Sequence, residues 1–403
     1  MRISTNMMYQ NSTRSLQKAS ERLDKASEQM TTGNKFSTAG EDPTGMSAKL
    51  SLSSKITAYQ QYNTNGNLLD SSLTLEGTVL SSVTTSLQSA YTLVQQSQNG
   101  SLSTSDRKSI ASELEELQSQ LYDLMNSKNA DGEYIFGGNQ SQTQPFVKDS
   151  SGNYLFQGDT GQRMIQIAPS VQIAANDSGL SVFQSVPTRR TASETTAALT
   201  VSVSSQSEFD SFIRNNYDFV TSANNDYTIT TTAGTPDQYQ VIDSDGVTVL
   251  QSGDYVRGDA ITFNGLSLTL DVAAGGATQG FTLDAPTNDN ILNTLSDMIA
   301  ALKDPTITST DYAAMAADTE IHLKGAMDRV DITQGAVGGR QNNLEQVTDS
   351  NSALSTISQE ARANVSEIDL YEALSNVAQE ESALSVAQQA FTKINQSTLF
   401  DYL

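Results

Sequence analysis

The sequence predicts an elongated α+β protein in which N- and C-terminal helices form coiled-coil or helical-bundle flanks around an inserted all-β domain. Three observations predict it. Apolar residues recur at steps of three and four through both ends of the chain. The middle breaks into short β-rich runs separated by turn residues. The apolar fraction of 37% is modest for 403 residues, which fits thin rods better than one large core.

At the start, Leu16, Ala19, Leu23, Ala26 and Met30 alternate steps of three and four and fall on one narrow helix stripe. Asp42-Pro43 opens a second helix, since Asp accepts orphan amide bonds and Pro at the first position has no amide to lose. It should run from about Thr44 to Gln98, with Leu73, Leu80, Leu87 and Val94 on a heptad and Val83 and Ala90 between them. A third helix is expected from Thr104 to Ser127, striped by Ile110, Leu114, Leu117, Leu121 and Leu124.

The middle reads as strand. Tyr134-Ile135-Phe136 is closed by Gly137-Gly138, and Phe146-Val147 and Tyr154 to Phe156 flank a turn. Thr188 to Ser207, rich in Ser, Thr and Ala, reads as a linker. Short strands follow at Tyr227, Tyr239, Val247, Ile261, Leu266 and Phe281, and Asn264-Gly265 is a strong two-residue hairpin signal.

Towards the end, Asn288-Asp289 is placed as the cap of a helix bearing Ile291, Leu295, Met298 and Leu302, which Asp304-Pro305 stops. A long tract from about Asp311 carries Leu323, Val330, Val337 and Leu344, then Val347, Leu354, Ala361 and Ile368. Gly335, Gly338 and Gly339 each cost about 1 kcal/mol relative to Ala in a helix, so a bend or break is expected there. The organisation expected is thus a terminal arm of residues 1–43 with 360–403, a helical bundle with β-hairpins of 44–187 with 286–359, and a β insert of 188–285.

Composition excludes several functions. A formal charge of -23 repels a phosphate backbone, so nucleic acid is not a partner. With no Cys and the single His322, neither a disulfide framework nor a multi-histidine metal site can form, and no cofactor is expected. No phosphate-binding loop or nucleophile-elbow motif is present, and His322, beside Leu323 in a heptad tract, reads as a buried helix residue, so no enzyme is expected. Asp243-Ser244-Asp245-Gly246 reads as a turn because the other calcium ligands do not follow at the required spacing. Tyr217, Tyr227, Tyr239 and Tyr255 fit either a glycan- or partner-binding surface or ordinary strand packing. No apolar run approaches the ~18 residues of a membrane span, so membrane insertion is not expected. Residues 1–9 lack the pattern of a secretory signal, so the protein is cytosolic or leaves by a route that reads no such signal.

The two ends need each other. Neither has enough apolar surface for a core, and isolated helices of this size are marginal in water. Residues 1–55 hold eight basic and five acidic side chains, whereas 341–403 hold two and nine, so the ends are complementary in charge. Exposed pairs contribute only about 0.2–1 kcal/mol each, so charge selects the partner and the seam supplies most of the affinity. The remaining face of such an arm is covered by self-assembly, with the arm ordering as copies pack. The alternatives are charges that are merely solvated and an ordinary intramolecular bundle. The assembly interface expected comprises Ile3, Met7, Leu16, Leu23, Met30, Leu374, Val377, Leu384, Phe391, Ile394, Leu399, Phe400 and Leu403.

Four segments resemble the flagellin superfamily of bacterial axial proteins. They are residues 1–36 with the Thr32-Gly33 turn, Glu41-Asp42-Pro43, residues 131–139 (DGEYIFGGN), and Val337-Gly338-Gly339-Arg340 with the terminus STLFDYL. The residues carrying the motifs are Asp42, Pro43, Tyr134, Phe136, Gly137, Gly138 and Arg340. The likeness covers roughly residues 1–180 and 286–403; the insert is more variable, although Ala260 to Leu283 resembles a β module shared with another hook-associated protein, departing from it where Gln279-Gly280 stands in place of Gly-Asp. The resemblance implies a structural protein exported, without a cleavable signal peptide, through the flagellum's own channel to the cell exterior. It implies homo-oligomeric assembly between the first hook-associated protein and flagellin, joining hook to filament, with help from an export chaperone. Terminal helices would line the inner tube and the insert the outside. Flagellin itself, or an axial protein whose insert binds glycans, are the other readings.

Overall fold

The computed structural model describes residues 5–400, with side chains described over 7–393. In chain order the elements are helices α1 (Thr5–Thr32), α2 (Pro43–Ser97) and α3 (Thr104–Met125), then hairpins β1 (Phe146–Lys148) with β2 (Tyr154–Phe156) and β3 (Met164–Ala168) with β4 (Val171–Ala174). Strand β5 (Val186–Pro187) leads into the insert, which holds β6 (Ala192–Glu194), β7 (Leu199–Val203), α4 (Gln206–Asn216), β8 (Asp226–Thr232), β9 (Gln238–Ile242), β10 (Val249–Asp254), β11 (Ala260–Phe263), β12 (Leu266–Leu270) and β13 (Gln279–Leu283), and β14 (Asn288–Asp289) leaves it. Helices α5 (Ile291–Lys303), α6 (Ser309–Ser366) and α7 (Leu370–Phe400) complete the chain. The chain divides into two compact units. One is Met1–Ser71, Met164–Ile173 and Arg340–Leu403, and the other is Ser72–Arg163 with Ala174–Gly339.

In the first unit α1 packs along α7. Gly33 ends α1 in the left-handed region (φ +67), its amide bonding the Gln29 carbonyl at 2.9 Å, a conformation that glycine adopts without a Cβ penalty. The turn after α1 is then clipped to the turn before α7. The Lys35 amide donates to the Ser366 carbonyl (2.8 Å) and the Ile368 amide to the Gly33 carbonyl (2.9 Å). Asp42 caps α2, its Oδ1 accepting from the Gly45 amide at 2.9 Å, as the Asp-Pro pair predicts. Farther along, α2 and α6 approach closely at Gly66, where a β-carbon would stand 3.1 Å from Thr348 Oγ1.

In the second unit the α2 heptad residues Leu73, Leu80, Leu87 and Val94 are fully or almost fully buried, as are Leu323, Val330 and Val337 of α6. Each such side chain contributes about 1.5–3 kcal/mol relative to exposure. The expected break at Gly335, Gly338 and Gly339 does not occur, and α6 runs on through all three. A β-carbon at any of them would meet nothing within 4 Å, so these glycines neither clash nor pack. The buried Val330 and Val337 on the same stretch hold the helix against their intrinsic cost.

Helix α3 packs on α5. Its buried stripe is Ala111, Leu114, Gln118, Leu121 and Met125, whereas Ile110, Leu117 and Leu124 of the expected stripe are only half-buried. Gln118 is tolerated in the core because its amide donates to the Leu292 carbonyl and to Ser296 Oγ, both at 2.7 Å. The cap of α5 is Asn290, whose side chain accepts from the Leu292 amide, and not Asn288-Asp289, which instead pair as β14 with β5.

The insert holds an antiparallel five-stranded sheet of order β10-β9-β8-β13-β6 and a three-stranded sheet β11-β12-β7. Phe209, Phe263, Phe281, Tyr227, Ile229 and Leu268 form its core, with Tyr227 stacked on Phe281 at 5.4 Å between centroids. Asn264 (φ 46) and Gly265 (φ 83) turn the β11-β12 hairpin, both at positive φ as the dipeptide predicts. The segment read as a linker instead supplies β6 and β7. Its Ser and Thr residues alternate with half-buried or buried Ala192, Leu199, Val201 and Val203, and the ladder bonds come from the distant β13 and β12. Helix α4, which no strand pattern anticipates, buries Phe209 and Ile213.

Candidate assembly interface

Helices α1 and α7 place most of the sequence-predicted interface on one seam. Ala19, Ala26 and Ala373 are buried, and Leu16, Leu23, Met30, Val377, Leu384 and Phe391 are half-buried. Small residues at the centre let the two backbones approach, while the longer ones close the sides. The Tyr9 and Phe391 rings meet at 5.5 Å, and Arg22 Nε bonds Glu380 Oε2 at 3.0 Å. That ion pair has the sign expected from the charge difference between the ends. Met7 is exposed.

Leu374 lies off the α1–α7 seam and is 60% exposed, because the α1-facing stripe runs through Ala373, Val377, Leu384 and Phe391, and one residue turns a helix by about 100°. Ile3 and Leu403 lie outside the described residues, as do the side chains of Ile394, Leu399 and Phe400.

The first unit is unusual in what it buries. Asn351, Ser355, Ser358 and Ser366 are buried, while Leu50, Leu354, Ile357, Leu370, Tyr371, Leu374 and Val386 are exposed. Leu354 belonged to the predicted heptad, but α6 presents Asn351 inward instead, its amide donating to the Ile167 carbonyl at 2.7 Å. The sequence signal available was only the neighbouring polar residues on the 3.6-residue period.

The DGEYIFGGN segment is not the expected strand. Around it only isolated bridges form, Lys128 with Tyr134 and Gly137 with Ser178. It is a pinned loop. Phe136 is buried edge-on against Phe183 with centroids 5.0 Å apart, and the buried Asn176 donates to the carbonyls of Ile135 (3.2 Å) and Gly138 (3.0 Å). Gly138 sits at φ +71 against Asp159, whose carboxylate accepts from the amides of Asn139 and Gly161. Tyr134 lies beneath Lys128 Nζ, 4.4 Å from its ring centroid. Arg340 is a half-buried residue of α6.

In the insert Tyr227, Tyr239 and Tyr255 are buried and Tyr217 is partly buried against the core, so three of the four tyrosines weighed as a binding surface pack inside. Among the described residues no group of three or more His, Asp and Glu side chains is arranged to hold a metal ion, and no helix is long and apolar enough to cross a membrane.

Comparison with known proteins agrees with this architecture. Residues 3–141 match the bacterial flagellin N-terminal helical region. Over that segment the class of protein the chain resembles is the flagellin superfamily. Within it the particular likeness is to flagellar hook-associated protein 3: the Escherichia coli protein of that name is 30% identical over 186 residues, 46% of this chain and 58% of its own length. The match therefore spans little more than half of that relative. The solved flagellar hook-associated protein 3 of Legionella pneumophila is 27% identical with a TM-score of 0.59, over 77% of this chain and 96% of that one. The solved FlgL of Xanthomonas campestris is 25% identical with a TM-score of 0.55, over 75% and 99%.

Proposed function

We propose that the chain is a structural subunit of the bacterial flagellum that joins hook to filament, self-assembling through its paired terminal helices. The single observation carrying this reading is the arm itself. Its two helices are joined by a thin seam, yet Leu370, Tyr371, Leu374 and Val386 of α7 and Leu354 and Ile357 of α6 are exposed, apolar side chains left for subunit contact to cover. The likeness to proteins named for the hook and the junction supports the position along the axis.

On this reading the partners are further copies of the chain, the first hook-associated protein, flagellin and an export chaperone. The protein works outside the cell, exported without a cleavable signal peptide. Residues 1–43 with 360–403 act as the inner arm, 44–187 with 286–359 as the supporting bundle and 188–285 as the outer insert. Its role is mechanical, with no catalysis.

Removing residues 384–403 tests the proposal. The truncated chain should still be exported by a flagellated host but fail to hold filament to hook, so that cells shed filaments. Normal motility with the truncated chain would refute it, and wild-type chain found along the whole filament would favour flagellin instead.

A further inference from the structure

The dipeptide Asn-Gly occurs three times, at Asn65-Gly66, Asn99-Gly100 and Asn264-Gly265, and the fold holds the three in different conformations. Asn-Gly is the dipeptide best able to modify itself, because glycine has no β-carbon to block approach of its nitrogen to the preceding side chain. The Gly nitrogen adds to the Asn carboxamide carbon, an N–C bond forms, the C–NH2 bond breaks, and ammonia leaves. Water then opens the resulting succinimide at either carbonyl, giving aspartate or isoaspartate.

At Asn65 this route is closed. The residue lies inside α2, where the following amide is committed to the helix ladder. Its side chain is held at both ends, Oδ1 accepting from Gln61 Nε2 (3.0 Å) and Nδ2 donating to the Gln166 carbonyl (2.8 Å). Asn264 is locked differently, at φ 46 in the hairpin. The Gly265 carbonyl is clamped by the amides of Ser204 (2.8 Å) and Ser205 (2.9 Å), so the turn cannot rotate towards ring closure.

Asn99 is different. It lies in the exposed connection between α2 and α3, and a β-carbon on Gly100 would meet nothing within 4 Å. Its Oδ1 accepts from the Ser101 amide at 3.2 Å and from Ser101 Oγ at 2.9 Å. Bonded two residues on, the Asn99 side chain closes an Asx turn that spans Gly100. Two donors on that oxygen also stabilise the negative charge that develops on it during addition.

We propose that Asn99 is a site of spontaneous deamidation in the folded protein, activated by Ser101, and that Asn65 and Asn264 are protected by the fold. Conversion places a new carboxylate, and in the isoaspartate form an extra backbone methylene, in the loop that leads into the α3 capping box of Ser103 and Asp106.

The test incubates the full-length protein at mildly alkaline pH and follows the three peptides by mass spectrometry, with isoaspartyl methyltransferase labelling to detect the isomer. The peptide holding residue 99 should gain the acid form at least about tenfold faster than the other two, since misplacement of attacking groups by about 1 Å costs about a hundredfold in rate. Ser101→Ala should slow it and Asn99→Gln should abolish it. In urea the three sites should converge. Equal conversion in the folded chain, no conversion at Asn99, or an unchanged order of rates in urea would overturn the proposal.

Discussion

Tyr9 and Phe391 touch across the two terminal helices, their ring centroids 5.5 Å apart and their planes tilted by 47°. The contact joins residues 382 positions apart in the chain. It closes a seam that neither helix can bury alone, and a tilted pair of this kind contributes about 0.5–1.5 kcal/mol beyond its buried area. A double-mutant cycle with Tyr9→Ala and Phe391→Ala should return coupling in that range, read from the thermal melt of the arm's helicity. Additive effects would mean that the rings are independent.

Leu23→Asp should weaken the arm far more than loss of the Arg22–Glu380 pair. Leu23 is half-buried in the seam, and a carboxylate there must either remain charged against apolar neighbours or take up a proton. The ion pair is largely solvated on the Arg side and is worth about 0.2–1 kcal/mol. Polymerisation assays should therefore find Leu23→Asp defective and Arg22→Gln close to wild type. Unchanged assembly of Leu23→Asp would turn that face of α1 towards solvent.

Phe281→Ala should destabilise the insert by about 3–5 kcal/mol, since the ring is fully buried between Tyr227 and Phe263 and its removal leaves a cavity. Denaturant unfolding followed by tyrosine fluorescence measures it.

Two glycines in similar conformations should respond unequally to alanine. Gly246 (φ +72) has open space where a β-carbon would go, so Gly246→Ala costs only the left-handed backbone, about 1–2 kcal/mol. Gly265 (φ +83) would in addition drive its β-carbon to 2.6 Å from the Phe209 amide nitrogen and against the Ser205 carbonyl. Gly265→Ala should lower the melting temperature distinctly further than Gly246→Ala.

His322 gives the fold a dependence on acid. Its ring is buried beside Thr294, Val186 and Asp289, and burial holds its pKa below the ordinary value of about 6.5 despite the opposing charge of Asp289. The unfolded chain therefore takes up a proton first. Stability from this group is full above about 6.5 and is lost as pH falls from there through the folded pKa. His322→Gln should flatten that part of the urea-midpoint profile, and an unchanged slope would assign the dependence to carboxylates.

Local regularities were legible without coordinates. The stripe through Leu73, Leu80 and Leu87, the Asp42-Pro43 helix start and the Asn264-Gly265 hairpin each rest on rules that act within a few residues. Where polar residues were buried, the pattern misled. Gln118 lies in the α3 stripe because the Leu292 carbonyl and Ser296 receive its amide, and no spacing within α3 reveals those partners. Likewise Asn351 displaces Leu354 from the inner face of α6 because the Ile167 carbonyl awaits it.

The amino-acid order by itself determined that helices flank a β-rich middle, that the ends are complementary in charge, and that no multi-histidine or thiolate chemistry is available. Tertiary structure alone decided that β6 and β7 are strands, that α6 passes unbroken through Gly335, Gly338 and Gly339, and that Ala373 rather than Leu374 faces α1. Propensity and periodicity are short-range and amount to a few tenths of a kcal/mol to about 1 kcal/mol per residue. Ladder bonds and packing with partners distant in the chain contribute more, and they settle which of two locally acceptable conformations or faces is kept.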